Sequence, residues 1–412
     1  IEAAAGGMGC TRGWRLLLLL GLVCVGALQG RGQEESREVS LQYNPGSSDT
    51  SVNVVHVRAV GNGSTIHYVW STIGTPTVLL IFTHSETSQL QVNWTKLLSP
   101  APQGALRIEP AESVSYATAL LFTRIFEYQD VNNTANFSGT DEKYFYPAYN
   151  LSDFLWDSAN ATINATSLSA NLTGYNASDP TDSFHNGSVS FRISAYSSSG
   201  RDSSSPRLRH TANCTKLEFL VAGVRPRGNN SRFALEMVTI EKEGRKKMES
   251  VHSIDDEYTP TIFEMMQLVP DAPNSSHARG FLQWKSVAYG SPSGTRADIL
   301  PCQLHPLRPF NTTFPAGSIA HAYFGDDLAD AYKLEAFNIS FGIADGDFYD
   351  KNRFLSWSAL IGYGEPPRDS FSILVICIMA VALGTPLLLL IVGTLVVTAL
   401  RHKVYSNYEP IN

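Results

Sequence analysis

From Phe371 to Leu400 the chain reads FSILVICIMAVALGTPLLLLIVGTLVVTAL, thirty residues without one charged side chain. A helix needs only ~20 apolar residues to cross ~30 Å of hydrocarbon, and a helix satisfies its own backbone there. The run predicts a transmembrane helix over 371–400, with length to spare for tilt or a kink. Arg401, His402 and Lys403 follow it directly, whereas Glu365 and Asp369 balance Arg368 ahead of it. The positive-inside rule therefore places residues 401–412 in the cytosol and the preceding body in the lumen, a single-pass type I topology.

Residues 1–30 fit upstream residues and a signal peptide. Met8 reads as the start, after Ile1 to Gly7. Arg12 and Arg15 form a basic n-region, Leu16 to Leu28 the apolar h-region, and Ala27 and Gly30 offer cleavage positions. The mature chain is expected to begin between Leu28 and Glu34.

A secretory chain gives meaning to its glycosylation triplets, which are headed by Asn62, Asn93, Asn132, Asn136, Asn150, Asn160, Asn164, Asn171, Asn176, Asn186, Asn213, Asn229, Asn274, Asn311 and Asn338. These are 15 of the 22 asparagines, whereas chance would place only about a fifth of them in such triplets. Accident does not explain the density. A sugar every few residues obstructs the extended backbone that a protease must seize, so a coat of this kind suits a protease-rich lumen.

Period-two alternation dominates the body. Leu90, Val92 and Trp94 alternate with Gln89, Gln91, Asn93 and Thr95, and Phe337, Ile339, Phe341 and Ile343 alternate with Asn338, Ser340 and Gly342. Both acceptors, Asn93 and Asn338, would stand on the polar faces of strands. Similar runs start at Val54, Thr65, Thr77, Ser188, Lys216, Arg232 and Phe281. The reading is an all-β lumenal region of antiparallel β-sandwich type, one or two sandwiches, plus one C-terminal transmembrane helix. Eight acceptors crowd an excursion over 130–187 within a first domain, 31–205; a second β region spans 206–368, with the boundary in Gly200–Arg209. Lys242 to Ser250, KEGRKKMES, reads as an exposed loop.

Cys10 and Cys24 fall in the signal region and Cys377 in the span, which leaves Cys214 and Cys302 in an oxidising compartment. A Cys214–Cys302 disulfide is expected. Its loop of about 88 residues would contribute on the order of 4 kcal/mol in the chain-entropy picture.

Net charge of −7 and a pI near 5.8 argue against nucleic acid as a partner. No zinc-protease, nucleophile-elbow or phosphate-loop motif occurs. Acidic groups cluster at Asp255, Asp256 and Glu257, at Asp326, Asp327 and Asp330, and at Asp345, Asp347 and Asp350. They read as solvated loops; calcium binding and glycoside hydrolysis by the Asp255–Glu257 carboxylates are the alternatives. Nine lumenal histidines, His56, His67 and His84 among them, show no metal-ligand spacing and are placed on strand surfaces. No cofactor or metal is expected.

Two short signals point to partners. Ala380 and Gly384 form a small-xxx-small pair in the span, with Pro386 two residues on, suited to close approach by another membrane helix. In the tail, Tyr408 and Ile411 have the spacing of an endolysosomal sorting motif, read by adaptor complexes as an extended peptide.

Signal peptide, acceptor-dense all-β body, IHYVW, SIDDEY, AFNISFG, IMAVALGTP and the closing RHKVYSNYEPIN together resemble the glycosylated lysosomal membrane protein family. The resemblance implies a type I lysosomal membrane protein without catalytic residues. It further implies an accessory subunit that protects a major-facilitator dipeptide transporter from lumenal proteolysis and supports its location.

Overall fold

A computed structural model describes residues 36–242, 245–252, 264–271, 279–310, 317–326, 331–368 and 373–406. The signal region, the Asp255–Glu257 cluster, Asp327, Asp330, Asn274, Asn311 and the Tyr408–Ile411 motif lie outside the described residues.

The alternating runs become long strands. In chain order the principal ones are β1 (Glu38–Tyr43), β2 (Val54–Gly61), β3 (Ser64–Ser71), β4 (Thr77–Thr83), β5 (Val114–Gln129), β6 (Ser169–Tyr175), β7 (Ser188–Ala195) and β8 (Cys214–Ala222). Then follow β9 (Ser231–Glu241), β10 (Arg245–His252), β11 (Glu264–Asp271), β12 (Arg279–Lys285), β13 (Val287–Tyr289), β14 (Ile299–Leu304), β15 (Lys333–Phe341) and β16 (Phe354–Gly364). β2 turns into β3 through Asn62 and Gly63, the glycine taking φ +68° in the left-handed region open to it.

Two antiparallel sheets result. The first runs β1-β2-β3-β4-β5-β9-β15-β14. The second runs β6-β7-β8-β16-β12-β11-β10. β14 pairs with β15 in the first sheet and with β13, itself beside β16, in the second, and so ties the two together.

The sheets pack face to face, as their apolar faces require. Phe122 of the first sheet meets Phe191 of the second at 4.7 Å between ring centroids, and Phe82 stacks on Tyr363 at 4.0 Å. Val57, Tyr68, Trp70, Phe219 and Trp357 share this core. A burial of this kind contributes roughly 1.5–3 kcal/mol for each large apolar side chain.

The first sheet is covered on its other face as well. Val69, Leu79, Ile81, Leu121 and Val238 pack beneath a short hairpin (Gln89–Val92 with Leu106–Glu109), helix α1 (Trp94–Leu97) and helix α2 (Ile319–Phe324). Burial on both faces explains why β4, TVLLIFT, is one apolar run rather than an alternation.

Residues 35–368 form one unit, and chain from both sides of Gly200–Arg209 enters both sheets: β5 pairs with β9, and β7 with β8. Gly200–Arg201 and Arg209–His210 make a small hairpin between them. The excursion is pinned at several points. Tyr149–Asn150 pairs with β5, Leu155–Trp156 with β6, and Leu151, Phe154 and Phe184 enter the main core. The expected loop at Lys242–Ser250 is largely strand, because β10 zips against β11 and the buried Lys246 ammonium finds the Glu241 carboxylate at 3.1 Å.

Helix α3 (Ile373–Ser406) belongs to a separate unit. Its Cys377–His402 stretch is long and apolar enough to span a membrane. Pro386 lies inside it and removes one backbone donor; the residue before it, Thr385, donates its hydroxyl to the Val381 carbonyl one turn back at 2.6 Å.

Candidate functional site: the acceptor surface and the hollow at Asn338

Acceptor asparagines gather where backbone donors need a partner. Asn93 ends the Gln89–Val92 strand and caps α1, its Oδ1 accepting from Lys96 N at 3.0 Å. It is exposed, yet at a helix start rather than on a strand face as its alternation suggested. Asn136 Oδ1 accepts from Gly139 N, Asn164 Oδ1 from Thr166 N and Ser167 N, and Asn176 Oδ1 from Ser178 N. Such caps use Oδ1 and leave Nδ2, the atom a sugar would occupy. Nine acceptors are exposed: Asn62, Asn93, Asn132, Asn136, Asn150, Asn160, Asn164, Asn186 and Asn229. Asn171, Asn176 and Asn213 are half-buried, and Asn213 Oδ1 accepts from Arg37 Nε.

Asn338 differs from all of these. It lies on β15 as expected but is only 6% exposed, because an ion pair and the excursion cover that face of the sheet. Asn338 stands opposite Glu236 of β9, Glu236 opposite Arg124 of β5, and Arg124 opposite Asn150. One cross-strand row thus joins two acceptors through a charge pair. Arg124 grips Glu236 with both nitrogens, Nε at 2.8 Å and a terminal nitrogen at 3.0 Å; Arg308 adds a bond at 2.7 Å and Thr123 one at 2.8 Å. Burial pushes the Glu236 carboxyl up, but the hydrogen bonds and charges of Arg124 and Arg308 outweigh it and hold the group below its usual range.

Beside this row opens a hollow of about 420 Å³. Asn338, His305, Pro306 and Arg308 line one side, and Phe137, Ser138, Thr140, Glu142 and Phe145 of the excursion line the other. Phe137 packs edge-on to Phe145 with centroids 5.3 Å apart and tilts on His305 at 5.0 Å. His305 is fixed at both ring nitrogens, by Ser138 Oγ and Ser340 Oγ at 2.8 Å each, and burial lowers its pKa. Among the described residues Glu142 is the lone carboxylate in the lining, and these residues offer no carboxylate pair for glycoside hydrolysis. It offers apolar ring surface, a guanidinium and an amide.

The other candidates separate. Asp326 binds Gln103 and His321, at 2.7 and 2.8 Å. Asp347 pairs with Lys351 at 2.7 Å, and burial raises the pKa of Asp350. Among the described residues no group of three metal-ligating side chains converges. Cys214 and Cys302 are free thiols, not the expected disulfide. Cys214 sits on β8 opposite Gly362 of the second sheet, whereas Cys302 sits on β14 opposite Phe341 of the first. Burial raises both thiol pKa values, that of Cys214 to about 12.

His56 and His67 correct a further expectation. They are buried, stacked at 5.2 Å, and joined by a 3.0 Å contact between His56 Nε2 and His67 Nδ1. Burial lowers both pKa values, with the neighbouring Arg58 charge adding to it. Period-two spacing shows which residues share a face; it does not show that the face is covered.

Comparison with known proteins places this architecture. The profile of the family described as glycosylated lysosomal membrane protein matches residues 53–404. The chain belongs to the glycosylated lysosomal membrane protein family. Glycosylated lysosomal membrane protein B of Xenopus laevis is 87% identical over 98% of this chain and 100% of its own length. The Homo sapiens protein of the family is 42% identical over 99% of this chain and 100% of its own, and that of Danio rerio 40% over 96% and 98%. These relatives are named as membrane proteins, and the lysosomal membrane is the location their names give. The family resemblance carried by IHYVW in β3 and AFNISFG in β15 thus holds along nearly the whole chain.

Proposed function

We propose that this family member is the accessory subunit of a multi-pass lysosomal transporter of the major-facilitator type, one that exports dipeptides. In this reading the β-sandwich is lumenal and α3 anchors it with its C-terminus in the cytosol. The sandwich and its sugars cover the transporter's lumenal loops against proteases, while Tyr408 and Ile411 bring the pair to the lysosome through adaptor complexes. The observation that carries the reading is the placement of acceptors. Nine stand exposed on turns, caps and the excursion around a deeply packed body, where sugar meets an approaching protease before backbone does. The Ala380 and Gly384 stripe supports a helix partner, because small side chains one turn apart let a neighbouring membrane helix approach closely.

The test is co-purification in mild detergent, with transporter half-lives measured after removal of this chain. One near-stoichiometric multi-pass transporter that disappears without its companion, and returns when lysosomal proteases are inhibited, is the expected result. Recovery of the chain alone, with every transporter's half-life unchanged, overturns the proposal.

A further inference from the structure

Among the described residues, the asparagines whose Oδ1 is buried without a hydrogen-bond partner are Asn171 and Asn338. Both head glycosylation triplets, and each lines an open hollow: about 320 Å³ at Asn171 and about 420 Å³ at Asn338. A buried carbonyl oxygen without a protein partner is satisfied by water or by a polar group seated beside it, and at both asparagines the wall of a hollow is where such a group can sit.

We infer that the hollow at Asn338 seats the first sugar of the glycan on Asn338 itself, so that this glycan is packed into the fold rather than free in solvent. The triplet Asn338-Ile339-Ser340 can be modified while the chain is still extended, before β15 closes between β9 and β14. Once β15 closes, the sugar needs room at that point. At about 420 Å³, the hollow falls within the roughly 300–1,000 Å³ range of sites that hold small molecules. Its lining suits an N-acetylhexosamine. The Phe137 and Phe145 rings offer apolar surface to the sugar's carbon face; Ser138, Thr140 and Arg308 offer polar partners to its hydroxyl and acetamido groups. A sugar there would also contact the excursion that begins beside Asp130, which makes it a structural part of the body. The inference stands whether or not the chain serves a transporter.

The full-length chain, made in glycosylating cells and kept folded in mild detergent, is treated with peptide-N-glycosidase, and release is followed site by site by glycopeptide mass spectrometry. Asn338 is expected to be occupied and to lose its glycan about tenfold more slowly than exposed Asn62 and Asn93, the difference vanishing on denaturation. Phe137→Ala combined with Phe145→Ala should bring the Asn338 rate up to that of Asn62 without altering Asn62. An unoccupied Asn338, or release at the rate of Asn62 from the folded wild-type chain, overturns the inference; this comparison holds even where the double variant does not fold. Protection unchanged in a folded double variant overturns the assignment to those rings.

Discussion

Arg232 of β9 holds the carboxylate of Asp130, the residue after β5, at 2.7 Å, with both side chains nearly inaccessible to water. The same guanidinium reaches Asn133 and the carbonyls of Ile343, Gly346 and Asp347, while Asp130 accepts from the backbone of Thr134 and Ala135. Two residues thereby fasten the start of the acceptor-rich excursion and the loop after β15 to the centre of the first sheet.

Replacing Arg232 by Met strands the Asp130 charge and the loop carbonyls. A loss of about 3–5 kcal/mol is expected, read as a fall in melting temperature of the detergent-solubilised chain. The double variant Arg232→Met, Asp130→Asn should recover part of that loss. A single variant as stable as the wild type would falsify the anchoring role.

The histidine pair makes stability depend on pH. Folding depresses the pKa of His56 and His67 below the ordinary 6.5, so the unfolded chain binds more protons in acid. Their contribution is complete above pH 6.5 and falls away as pH drops toward the folded values. At pH 5 the loss is on the order of 2 kcal/mol per histidine. Thermal melts between pH 7.5 and 5 should show the slope, and His56→Asn should flatten it; an equal slope in the variant excludes the pair as its source.

Cap and sugar can be separated at Asn93. Asn93→Ala removes both the Lys96 N–H acceptor and the glycosylation site, and should cost about 1 kcal/mol from the cap alone. Thr95→Ala removes the site and keeps the cap, so its melting temperature should match that of enzymatically deglycosylated wild type. Equal destabilisation by the two substitutions would assign the effect to sugar instead.

Both thiols of the β body should be free. Alkylation of the denatured, unreduced chain is expected to label Cys214 and Cys302, whereas the folded chain labels Cys214 slowly because burial keeps it protonated. Label appearing on these residues only after reductant restores the disulfide.

The strands were legible because alternation is a local property, and β2, β3, β7, β8 and β9 lie where the runs at Val54, Thr65, Ser188, Lys216 and Arg232 place them. Coverage was not legible, since it depends on segments far away in sequence. His67 and Asn338 look like solvent-facing polar residues until Ser88 and the excursion close over them. One signal did lie in β9: Arg232, Glu236 and Val238 share a face, and charges on the same face as an apolar residue point to buried partners. In the sequence only elimination pairs Cys214 with Cys302, because spacing alone does not show that β8 and β14 hold them in different sheets.

β16 is the last strand before the membrane helix, yet it occupies an interior place in the second sheet, between β8 and β12. That position sets a schedule for biosynthesis. β8 is made some 130 residues before its neighbour and must wait with an open edge, at the loop-closure penalty of so distant a pairing. The sheet is completed only when residues 354–364 emerge, just ahead of the helix that will hold the protein in the bilayer. A chain cut short before that strand leaves β8 and β12 each with one edge unpaired, so the body cannot finish folding until nearly all of its own length has been delivered.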